Sequence, residues 1–129
     1  MRYSDYATHL QAVMRMIVAL LIMIHGTQKL FGYPEGDAIA FEKIATLYGV
    51  AGLVEFLGGF LVLIGYATRP ISFILSGEMA LIYLKANLSE GPWPMLNGGE
   101  VSLIYCIILL FLSSAGAGKF SIDTSQGYD

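Results

Sequence analysis

The chain has 129 residues, 56% of them hydrophobic and 13% charged, with a mean hydropathy of +0.66. Soluble domains are about 45–50% apolar and about 25% charged, so the composition points to a membrane protein of one domain. A formal net charge of −3 gives no footprint for nucleic acid, and the single cysteine, Cys106, excludes an intramolecular disulfide and any Cys-x-x-Cys redox or zinc site.

The N-terminus does not read as a cleaved signal peptide. Its apolar run, 16–24, continues into His25-Gly26-Thr27-Gln28-Lys29 without a small-residue cleavage site, so it reads as a retained transmembrane helix. About 20 apolar residues cross the hydrocarbon. The first predicted span is 12–31, and it carries Arg15, His25 and Lys29. Tyr33-Pro34-Glu35-Gly36-Asp37 breaks it, and Asp37 then caps a predicted short interfacial helix over 38–46. The second span, 47–66, has Glu55 at its middle. Thr68-Arg69-Pro70 is a tight turn into the third span, 71–88, which carries Glu78 and Lys85. The loop 89–94 contains Pro92 and Pro94 and is predicted not to be helical, with Trp93 as an interfacial anchor. Asn97-Gly98-Gly99-Glu100 starts the fourth span, 101–115. The fold class is therefore all-α, an integral membrane four-helix bundle. Four spans place both termini on one side, with Arg2, Arg15, Arg69 and Lys119 there against Lys29, Lys43 and Lys85 opposite, which favours cytoplasmic termini.

A charge at bilayer depth costs about 2.5–3.5 kcal/mol on insertion scales, so it faces a partner or a polar cavity. At 3.6 residues per turn, Arg15, Val18, Ile22, His25 and Lys29 share one face of the first helix. Tyr48, Gly52, Glu55, Gly59, Val62 and Tyr66 share one face of the second, and the glycines allow a second backbone to come close. Glu55 is thus expected to face the bundle. In the third helix Leu75, Glu78, Ile82 and Lys85 share a face, with Glu78 nearly in line with Lys85. These groups read equally as a site or as glue between helices. For Arg15 and Lys85, near span ends, snorkelling to headgroups is the plainer expectation.

His25 is open to three roles: proton relay, donor to a carbonyl ligand, or satisfied core histidine. His9 lies before the first span, which disfavours a bis-histidine haem. No ligand spacing supports a metal centre at His25, Glu55 and Glu78, and none is expected. The tyrosines and phenylalanines of the spans read first as packing and interfacial belts. The tail from Ser113 to Ser121 looks like a phosphate loop but lacks the glycine at 113 and the hydroxyl residue at 120. It reads as a glycine-rich helix end.

The chain resembles the DoxX family of small four-span membrane proteins. The resemblance rests on Arg15 with His25-Gly26-x-x-Lys29-Leu30, on the run from Glu55 to Gly65 with Thr68-Arg69, and on the closing Gly116-x-Gly118-x-Phe120-Ser121-Ile122-Asp123. The usual proline between the closing glycines is Ala117 here. DoxX-like proteins are commonly labelled oxidoreductases, through a related family that serves as the membrane subunit of thiosulfate:quinone oxidoreductase. Others resemble accessory factors of membrane redox complexes. The chain has no redox centre of its own, so electron transfer requires a bound quinone and a redox partner protein.

The expected function is a redox-associated inner-membrane subunit that binds a quinone-like or other small apolar ligand. Glu55 and His25 are the candidate catalytic groups; Arg15, Lys29 and Glu78 are the candidate ligand-binding groups. The expected surroundings are the lipid bilayer; the small-residue face of Gly49, Gly52 and Gly59 either docks a second copy or is spent inside the bundle. The alternatives are a non-enzymatic assembly protein whose charges only hold the bundle, and a small oligomeric transporter.

Overall fold

The computed structural model describes residues 2–128, all-helical where secondary structure is regular. Helix α1, Tyr3–Phe31, begins more than two turns before the first predicted span and ends at Gly32, whose left-handed backbone (φ 70°) closes it. Helix α2 runs Leu47–Ile64 and stops at Gly65 (φ 71°). Helix α3, Thr68–Ile82, continues through a π turn at Tyr83–Asn87 and a 3-10 turn at Leu88–Glu90. A single turn, α4, covers Pro94–Asn97, then α5 spans Glu100–Ala115 and α6 is a last turn at Ile122–Ser125.

Two local expectations are corrected. The helix predicted over 38–46 is only a 3-10 turn at Phe41–Lys43. Thr46 takes the capping role instead, its hydroxyl accepting from the Gly49 N–H at 3.3 Å at the start of α2. The segment predicted as non-helical, 89–94, keeps helical backbone to Glu90 and resumes at Pro94. Buried Asn97 closes this connection, donating to the Gly91 carbonyl (2.9 Å) and the Tyr83 hydroxyl (3.2 Å) and accepting from the Gly99 N–H (2.9 Å).

Helices α1, α2 and the stretch Thr68–Glu90 are each long and apolar enough to cross a membrane, and α5 is a shorter apolar helix. Helix α1 lies along α2 and α3 lies along α5, with α2 against α3 joining the pairs. The core comes from Val18, Ala19 and Ile22 of α1, Val62 of α2, Leu75 and Met79 of α3, and Leu109 of α5. Large apolar side chains such as Ile17, Leu57, Phe60, Phe73 and Ile107 cover the outside. So apolar an outside suits hydrocarbon rather than water.

Small residues set the α1–α2 distance. A Cβ at Gly26 would stand 2.5 Å from the Phe56 backbone nitrogen, and one at Gly59 would stand 2.7 Å from Met23 Cγ. Gly52 lies against Lys29 and Leu30, and Gly49 against Ile44. The glycine face is thus filled from within the chain.

Candidate functional site

Helix α2 holds Glu55 on its glycine face, and α1 crosses that face closely enough for Lys29 to reach it. The Lys29 ammonium donates to Glu55 Oε1 at 2.5 Å. Glu55 is 1% exposed, and its second oxygen has no partner among the described residues. Lys29 also stands 5.9 Å from the centre of the Tyr48 ring, a cation–π distance. Glu78 approaches from α3, within electrostatic reach of both Glu55 and Lys29. Both Glu78 carboxyl oxygens are shielded from solvent, and neither makes a hydrogen bond of ordinary geometry among the described residues. Three of the five residues expected at the site therefore meet. Glu78 meets Glu55; its helix mate Lys85 is exposed and lies in the π turn at Tyr83–Asn87.

Glu78 has a second neighbourhood. Its half-exposed side chain, with Val50, Val54, Ile74, Gly77 and Leu81, lines a groove of about 610 Å³ between α2 and α3. The oxygens are shielded, so the methylenes face the groove and the carboxyl turns inward toward Glu55. The groove walls are otherwise apolar and lie on the outside of the bundle.

Arg15 and His25 stand elsewhere. Arg15 lies 14 residues before Lys29, about 21 Å along α1 at 1.5 Å per residue. It does not snorkel: it is 0% exposed. Its Nη1 donates to the carbonyls of Ala117 (2.5 Å) and Lys119 (3.1 Å), and its Nη2 to that of Phe120 (2.9 Å). Gln11 holds the Gly116 carbonyl at 2.7 Å, and Arg69 donates to that of Ser114. Asp123 completes this clamp, accepting from the backbone N–H groups of Ala67 and Thr68 at 2.8 Å each, at the start of α3. Gly65 is needed there, since a Cβ would meet Ser121 Cα at 3.0 Å and Arg15 Nη1 at 3.3 Å. Asp123 carries no role by helix periodicity; its only sequence signal is its place in the closing motif. His25 faces the outside of the bundle, edge-on to Tyr105 of α5 with ring centres 6.2 Å apart.

The family model for DoxX matches residues 10–88, which include Arg15, His25, Lys29, Glu55 and Glu78. The chain belongs to the DoxX family. This DoxX chain is 34% identical to an uncharacterized protein of Haemophilus influenzae, over 93% of its own length and 92% of the relative's. It is 33% identical to an uncharacterized membrane protein of Mycobacterium tuberculosis, over 84% of its own length and 76% of the relative's. No solved structure matches it. The DoxX match ends before α5, so it contains the carboxyl cluster whole but, of the clamp, Gln11, Arg15, the α2–α3 turn and Arg69 without the closing segment they hold.

Proposed function

We propose that this DoxX protein binds a quinone-like amphiphile beside Glu78 and serves as a membrane subunit of a redox assembly in a bacterial inner membrane. The carrying observation is the Glu78 side chain, whose methylenes line an apolar groove while its solvent-shielded carboxyl turns toward Glu55. Two carboxyls and one lysine share this shielded place, and an ionisable group at membrane depth is costly enough to mark a site. A quinone ring fits the residues present: its faces suit the apolar walls and its carbonyl oxygens suit a carboxyl donor.

A bound quinone would supply the electron chemistry, with electrons arriving from a partner protein. The chain's own residues manage charge and protons. Lys29 balances one of the two carboxylates. The other is neutral when it carries a proton, and Glu55 and Glu78 are placed to share it. Rotation about the Glu78 side-chain bonds turns its carboxyl from Glu55 to the groove, where it donates to a carbonyl oxygen. General acid catalysis needs such a group within about 2.6–3.2 Å of the atom it protonates. His25 and Arg15 take no part in these steps.

The assembly-protein reading draws on the same Lys29–Glu55 pair, which ties α1 to α2. Glu78 separates the two readings, since only the first gives its carboxyl a ligand in the groove. In nanodiscs, Glu78→Met keeps the volume and removes the donor. Calorimetry with ubiquinone-1 is expected to show binding about tenfold weaker than wild type, about 1.4 kcal/mol. Equal affinity in the two proteins would overturn the assignment.

A further inference from the structure

The helix glycines of this chain divide into two kinds. Gly26, Gly52, Gly58 and Gly59 each have a neighbour where a Cβ would go, at 3.1 Å or less. Gly77, inside α3 and next to Glu78, has nothing within 4 Å of that position. Its backbone is not left-handed either. A glycine inside a helix costs about 0.5–1 kcal/mol relative to alanine. Neither packing nor backbone conformation accounts for it here. What its missing side chain provides is space, and that space is the α2–α3 groove.

The groove volume of about 610 Å³ falls in the range of roughly 300–1,000 Å³ typical of ligand pockets. Its walls include Val50, Ile74 and Leu81, all exposed on the outside of helices apolar enough to sit in a membrane. The groove therefore opens sideways into hydrocarbon. A plain acyl chain resting there offers the Glu78 side chain apolar contact alone, whereas an amphiphile with a hydrogen-bonding head offers its carboxyl a second partner besides Glu55.

We infer that the α2–α3 groove is the tail subsite for the ligand whose head reaches Glu78, entered laterally from the bilayer, and that Gly77 sets which tails it admits. This inference rests on the quinone-binding reading. Gly77→Leu fills the groove without meeting protein atoms at its Cβ. Val50→Phe fills it from the α2 wall and serves as the independent second variant.

Each protein is titrated in nanodiscs with decylubiquinone, which has a tail, and with ubiquinone-0, which has only the head. Gly77→Leu and Val50→Phe are expected to weaken decylubiquinone binding at least tenfold while leaving ubiquinone-0 within twofold of wild type. Wild-type protein that binds neither compound defeats the quinone reading, and this inference with it. Wild-type protein that binds both, with filled variants that bind both equally well, defeats the tail subsite alone. Equal loss of both compounds in the filled variants also defeats it, because the added bulk then acts on the head.

Discussion

Lys29 and Glu55 neutralise each other inside the bundle, and removing either alone strands the other in a poor solvent for charge. Breaking a buried pair from one side costs about 3–5 kcal/mol, whereas replacing both partners by apolar groups is often neutral. Lys29 is 21% exposed, which places the cost at the lower end, about 3 kcal/mol. Glu55→Met and Lys29→Met should therefore each lower the thermal unfolding temperature in detergent, and the double variant should recover most of the loss. A double variant as unstable as the sum of the singles would show that the pair is not the shared cause. Glu55 was legible from the sequence because glycines flank it on one helix face. Arg15 was not, because its acceptors are backbone carbonyls that no side-chain pattern announces. His25 sits four residues before Lys29 on the same stripe, yet it lies exposed, edge-on to Tyr105 of α5. Helix periodicity gives a face but not the helix that covers it.

Helices α1 and α2 meet through Gly26 and Gly59, and these two with Gly77 of α3 predict three different outcomes. Gly26→Ala drives a methyl into the Phe56 backbone, which cannot yield, and should cost about 1–3 kcal/mol or more. Gly59→Ala meets the flexible Met23 side chain first and should cost less. Gly77→Ala meets nothing and should be neutral or raise the unfolding temperature. Thermal melts of the three variants in one detergent check that order, and a Gly77→Ala protein less stable than Gly26→Ala would refute it. The lengths of α2 and α5 follow from hydropathy and from the glycines that end them. The end of α3 does not: the chain passes from α to π to 3-10 backbone between Ile82 and Glu90, and a 3.6-residue period carried across that change misplaces Lys85.

The clamp draws the two ends of the chain together. Arg15 from α1, the α2–α3 turn and the segment from Gly116 to Asp123 share one hydrogen-bonded knot. Ala67 (φ 50°) and Phe120 (φ 55°) are held there in left-handed backbone, a conformation that costs about 1–3 kcal/mol outside glycine. Arg15→Gln removes most of the donors and should release the C-terminal segment. Hydrogen exchange at residues 116–125 is expected to rise sharply while the α3–α5 core stays protected. Unchanged exchange would mean that Asp123 and Gln11 hold the segment without Arg15. The all-α bundle was legible because four apolar runs with polar breaks leave little choice. The joining of its ends was not, since those contacts span more than 100 residues and run through main-chain oxygens.

The clamp also bears on the birth of the protein. Arg15 is made early, and the first carbonyl it will hold, that of Ala117, comes 102 residues later. At about 5–20 residues per second, that interval lasts roughly 5–20 s. Throughout it a guanidinium waits in the first helix without its acceptors. A nascent chain that stops short of Ala117 lacks all three carbonyl acceptors that Arg15 holds in the finished protein.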